Sequence, residues 1–137
     1  MTSLVARPAL TEAGRGFVAE RHLATLSTVR RDGSLHVVAV GCTVEETAEG
    51  LVVRIITDGG SQKVRNLRRD PRASVAQLDG ARWCSFSGTA TVSDDPARVA
   101  DAVERYARRY RQPRENPTRV VIELAVERAM GSRGLIA

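Results

Sequence analysis

The chain has 137 residues, 42% of them hydrophobic, which is enough for one domain, spanning residues 1–137, with its own core. No apolar run is long enough to span a bilayer, and the N-terminus lacks the charged-then-apolar layout of a signal peptide, so a cytoplasmic protein with no membrane partner is expected. The net charge of +5 favours an anionic partner, but aromatic content is only 4% and neither zinc-finger spacing nor an RNA-binding signature occurs, which argues against a base-stacking nucleic-acid surface.

Residues Met1 to Leu10 read as a loosely held arm. Thr11 can cap a helix running to about Arg21, with Leu10, Ala13, Phe17 and Val18 on one face and Gly14 and Gly16 weakening it. Leu23 to Val29 has a strand pattern, and Arg31-Asp32-Gly33-Ser34 is a hairpin turn in which Asp-Gly supplies positive φ angles. Leu35 to Val44 is the partner strand; its Val-Val-Ala-Val centre is apolar on both faces, which predicts a central strand. Glu45 to Gly50 reads as an acidic turn, and Leu51 to Thr57 as a third strand.

A glycine junction then leads into a short helix, which Asp70-Pro71 ends because the residue before proline avoids helical dihedrals. Ala73 to Leu78 is a fourth strand, Asp79-Gly80 a second hairpin turn, and Arg82 to Val92 a fifth strand, in which Gly88 marks a bulge or close backbone approach. Asp95 caps a long helix with Pro96 in its first turn, and Val99, Ala102, Val103, Tyr106 and Tyr110 form an apolar stripe. Pro113 and Pro117 bracket an arginine-rich loop, and Thr118 to Glu127 is the last strand. The sum is a mainly β, α+β domain: six antiparallel strands that avoid open edges by curling into a barrel. Cys42 and Cys84 lack Cys-x-x-Cys spacing and read as buried small side chains, so no metal site is expected.

Chemistry concentrates at Thr57-Asp58-Gly59-Gly60-Ser61-Gln62-Lys63. With Ser61 as N-cap, the backbone N–H groups behind it lack helical partners and, with the helix dipole, form an anion site that Gly59-Gly60 lets the backbone approach. Lys63 is the only lysine in the chain, a mobile point charge suited to a phosphate. An ordinary strand–loop–helix junction with a solvated lysine would share this local pattern. The functional reading of this stretch is a site for a phosphate-bearing cofactor, which fits a chain without a Ser-His-Asp arrangement, a paired-carboxylate motif or a metal cluster.

This order of elements, with the Thr57 to Lys63 junction and Asn66-Leu67, resembles the pyridoxamine 5′-phosphate oxidase-like split-barrel superfamily of flavin and deazaflavin proteins. Further segments are similar to actinobacterial F420-dependent biliverdin reductases: Glu20-Arg21-His22-Leu23-Ala24, His36 through Gly41, Asp79-Gly80-Ala81-Arg82-Trp83, Arg105 through Arg111, and Arg119-Val120-Val121-Ile122-Glu123. The resemblance implies a six-stranded split barrel, a homodimer with the cofactor between subunits, and hydride transfer from reduced coenzyme F420 to biliverdin, with FMN chemistry or a non-catalytic carrier as alternatives. Carried onto this chain, it implies that Thr57, Ser61 and Lys63 hold the cofactor phosphate beside Gln62. It implies that His36, Val37, Val38, Ala39 and Val40 line the ring, partly through backbone groups, and that Asn66, Gln77 and Trp83 lie near it. Arg54, Arg82, Arg114 and Arg119 are its candidates for the carboxylates of the cofactor tail and of a tetrapyrrole substrate. His36 stands where it can influence protonation near neutral pH, but no side chain is assigned as catalytic acid.

Overall fold

Thr11 accepts a hydrogen bond from the Gly14 N–H and so starts α1 (Glu12–Ala19) in the computed structural model, which describes residues 7–137. Three strands follow, β1 (Ala24–Val29), β2 (Leu35–Val40) and β3 (Thr43–Thr47), then β4 (Gly50–Asp58) and α2 (Gln62–Arg69). The second half adds β5 (Arg72–Asp79), β6 (Arg82–Ser93), α3 (Pro96–Arg109) and β7 (Arg119–Gly131). Asp95 caps α3 through the Arg98 N–H, and α2 ends at Asp70, as the Asp-Pro pair requires. The β1–β2 hairpin is closed by a turn in which only Gly33 takes a positive φ.

The sheet has seven strands, not six, in the order β2-β1-β5-β6-β7-β4-β3, with every neighbouring pair antiparallel. The extra strand arises because the segment expected to run unbroken from Leu35 to Val44 stops at Gly41-Cys42, and the first half of the expected acidic turn belongs to β3. Tyr106 and Tyr110 press on Gly41, where a Cβ would come within 2.8 Å of the Tyr106 ring; the strand breaks where they pack. The two edge strands, β2 and β3, are therefore joined by two residues. Such a short link forces the sheet to curl until its edges approach, yet no ladder joins them, and the barrel stays open along a seam.

β2 is an edge strand, which corrects the expectation of a central one. Its side chains do alternate: Val38 and Val40 face the core, while Leu35 and Val37 stay 63% and 55% exposed. The interior is filled by Leu26, Val53, Ile55, Phe86, Ile122 and Leu124, closed by Phe17 of α1 and Val64 and Leu67 of α2. Gly14, expected to weaken α1, is instead required by packing, because a Cβ there would lie 2.1 Å from the Leu135 carbonyl oxygen. Gly88 does mark a bulge, at the register shift between Ser87 and Gly88. Residues 1–6 of the expected loose arm lie outside the described residues, but Leu10 is buried and bridges to Ile136. Cys42 and Cys84 are buried free thiols, Cys42 in the break between β2 and β3 rather than within a strand. Among the described residues no helix is long and apolar enough to cross a membrane.

Candidate functional site

The seam is the candidate site. Ala39, Val40 and Gly41 from the end of β2 face Ile56, Thr57 and Asp58 from the end of β4 across a groove of about 270 Å³. Lys63 of α2, Tyr106 of α3 and Pro113, Asn116 and Arg119 close it. Among the described residues β2 pairs with β1 alone, so the backbone along its other side offers donors and acceptors to a ligand.

At the β4–α2 junction Ser61 is the N-cap residue, but its hydroxyl makes no capping bond. It lies 3.5 Å from the Thr57 hydroxyl, so two side-chain oxygens stand beside the helix start. The first N–H groups of α2 lack intrahelical partners. Burial pushes the Lys63 ammonium below the ordinary lysine value, and among the described residues no carboxylate pairs with it. A half-buried cation without an acid partner, two neighbouring hydroxyls and a helix N-terminus fit a phosphate. Gly59 serves a purpose other than the one expected: it packs against the last strand, its N–H bonds the Thr118 carbonyl at 2.9 Å, and a Cβ would lie 3.0 Å from that oxygen.

His36 borders an adjoining hollow with Gln62, Arg30, Arg31 and Asp32. Its Nδ1 is buried without a hydrogen-bond partner among the described residues. Burial first, then the cations of Arg30 and Lys63, hold the imidazole below its usual value, which favours the neutral form that can accept a hydrogen bond.

The remaining expected site residues divide into those near the groove and those held elsewhere. Arg119 lines the groove and donates to the Arg114 carbonyl at 2.5 Å. Asn66 is fully buried one turn behind Lys63; it donates to the Thr28 hydroxyl at 3.0 Å and accepts from Gln62 at 2.8 Å, which makes it a brace for the junction. Gln77 is buried inside the barrel, its Nε2 donating to the Phe17 carbonyl and its Oε1 accepting from Arg109. Trp83 and Val37 lie on the outer face of the sheet, away from this groove. Arg54 is enclosed by Glu45 at 2.7 Å, Glu123 at 3.5 Å and Asp101 at 4.0 Å, and Arg82 is held by Glu20 and Asp79. Those two guanidiniums already have carboxylate partners. Glu20, His22 and Asp79 converge in a way metal ligands can, but the Arg82 cation bonds both carboxylates.

Sequence reasoning missed Asp58, Tyr106, Pro113 and Asn116 as groove residues. Asp58 accepts from Thr118, from the Gly60 N–H and from Asn116, bonds that hold its carboxyl below the usual range and pin the 113–118 loop to the junction. The Asn116-Pro117-Thr118 run carried a legible signal, an Asx turn in which the Asn116 side chain accepts from the Thr118 N–H. Tyr106 stood in a stripe that reads equally well as core.

An open seam in a seven-stranded sheet, with an anion cradle at its end, defines a class of cofactor-binding domain. The profile of the pyridoxamine 5′-phosphate oxidase family matches residues 10–131, and the chain belongs to that family. The F420H(2)-dependent biliverdin reductase of Mycobacterium tuberculosis (strain CDC 1551 / Oshkosh) is 50% identical to it over 127 residues, which is 93% of this chain and 91% of the relative. Among solved structures, a conserved hypothetical protein from Mycobacterium tuberculosis superposes with a TM-score of 0.76 at 27% identity, covering 95% of this chain and 89% of its own. An F420 reductase superposes with a TM-score of 0.69 at 22% identity over 88% of this chain and 98% of its own, a likeness of fold.

Proposed function

We propose that this protein is an F420-dependent oxidoreductase, a biliverdin reductase that transfers a hydride from reduced coenzyme F420 to biliverdin and gives bilirubin. The observation that carries this reading is the 50% identity, over nearly the full length of both chains, to an F420H(2)-dependent biliverdin reductase. The seam supports it independently, since its residues suit a flat coenzyme with an anionic tail.

Bound there, the reduced deazaflavin supplies the hydride. The chain supplies grip and orientation. Lys63, the hydroxyls of Thr57 and Ser61, and the N–H groups opening α2 bind the phosphate. The unpaired edge of β2, from His36 to Val40, hydrogen-bonds the ring through its backbone. Gln62 and Asn66 keep α2 seated on β1, which fixes the height of Lys63 against the groove. Arg119 and the nearby Arg114 serve anionic groups that leave the groove on that side.

The enzyme works as a cytoplasmic homodimer. Leu35, Val37, Leu78, Trp83 and Met130 are exposed on the outer sheet face, and the strand register puts Leu78, Trp83 and Met130 at one end of it and Leu35 and Val37 at the other, with Ser27, Ser74 and Ser87 between. A second copy covering this face removes that apolar surface from water and brings Trp83 toward the partner's groove.

The deciding experiment is turnover. Purified protein with reduced F420 and biliverdin is expected to yield bilirubin, followed by absorbance, with rates that saturate in both reactants. Tight FMN binding with no F420 affinity, or F420 and biliverdin binding without turnover, would overturn the reading.

A further inference from the structure

We propose that the hollow beside the groove, walled by Tyr106 and Tyr110 and edged by Arg21 and Arg111, is the subsite for a flat conjugated acceptor carrying two carboxylates. The proposal rests on the oxidoreductase reading above and locates that enzyme's acceptor.

The hollow has a volume of about 360 Å³ and is lined by Arg21, His22, Leu23, Tyr106, Tyr110 and Arg111. Tyr106 also lines the seam groove, so the two spaces adjoin across one side chain. The two tyrosine rings lie 4.8 Å apart at 37°, a tilted stack in which each ring steadies the other. The pair is fixed in place. The Tyr110 hydroxyl donates to the His22 carbonyl at 2.6 Å and accepts from the Cys42 N–H at 3.1 Å, and Gly41 leaves room for both rings. Rigid aromatic walls favour a planar conjugated ligand.

Charge completes the match. Arg54, Arg82, Arg105 and Arg109 are all bound to carboxylates, carbonyls or amides. Arg21 and Arg111 are exposed and, among the described residues, their guanidiniums have no ionic or hydrogen-bond partner. His22, the other titratable group there besides the tyrosines, faces away to Glu20 at 2.8 Å and Asp79 at 3.7 Å. Two free guanidinium forks beside an aromatic wall suit two carboxylates on one conjugated ligand.

The test compares Arg21→Gln, Arg111→Gln and the double variant, using biliverdin and its neutral dimethyl ester as paired substrates. Each single change is expected to raise the KM for biliverdin about five-fold and the double change about twenty-fold or more, with kcat and F420 affinity within about two-fold of the parent. The KM for the diester is expected to be the same in parent and double variant, because the ester gives the guanidiniums no charge to bind. A double variant that keeps the parental KM, or that loses acid and ester equally, would overturn the subsite. If the parent fails to reduce biliverdin, the oxidoreductase reading falls, and binding decides the subsite. Titration by ligand absorbance must then show the acid binding more tightly than the ester in the parent, with that preference lost in the double variant. Equal binding of the two, or none, overturns it.

Discussion

Asn66 and Lys63 sit three positions apart on one short helix and answer to different demands. Asn66 is fully buried and bonded to Thr28 and Gln62, so Asn66→Ala leaves buried polar groups unpaired. It is expected to cost about 1–3 kcal/mol in urea unfolding, with an unchanged denaturant slope. Lys63 carries a pKa lowered by burial. An anion seated beside it raises that pKa again, so F420 affinity falls as alkaline pH removes the proton, beginning below the range of an ordinary lysine. Free-protein stability has the opposite sign, because the unfolded chain holds this proton more tightly and folding gains as pH rises through the depressed value. Glu20 shows the acid side. Its bonds from Arg82 and His22 hold the carboxyl at about 2, against 4.5 for the free group. The stability it contributes is complete above 4.5 and lost as pH falls toward 2. Arg82→Gln removes the largest cause, so the acid limb of melting temperature against pH is expected to flatten while the KM for biliverdin stays unchanged. A raised KM would return Arg82 to the substrate.

Elements show where local pattern was sufficient and where distant contacts decided. The caps at Thr11 and Asp95, the stop at Asp70 and the bulge at Gly88 were all legible, because each follows from local backbone chemistry. The break at Gly41-Cys42 was not, because its cause lies on α3, some sixty residues further along the chain. The acidic run from Glu45 looked like a turn for the same reason: Arg54 and Arg105 pair with Glu45, Arg15 pairs with Glu46, and these neutralise a genuine edge strand. Two glycines make this testable. Gly88→Ala puts a Cβ 2.0 Å from the Ala125 carbonyl oxygen, with an expected cost of about 3 kcal/mol in thermal or urea unfolding. Gly41→Ala pushes against the Tyr106 and Tyr110 rings, and is expected to raise the KM for biliverdin more than it weakens F420 binding.

At the scale of the whole molecule, the apolar run Val37-Val38-Ala39-Val40 gives β2 two apolar faces. One face is covered by this chain's core; the other, exposed here, is the one assigned to a second copy. Val37→Asp on that face is expected to shift the protein toward monomer in light scattering without unfolding it. The residues of the proposed anion cradle, by contrast, lie within one short stretch of sequence from Thr57 to Lys63, whereas the far walls of the groove, Tyr106 and Asn116, come from the last third of the chain. The central claim is that this cradle grips an anionic deazaflavin through Lys63. The direct measurement is titration of F420 into the parent protein and into Lys63→Ala, with melting curves recorded for both. The parent is expected to bind saturably and the variant about ten-fold or more weakly at an unchanged melting temperature; equal affinity in the two would contradict the claim.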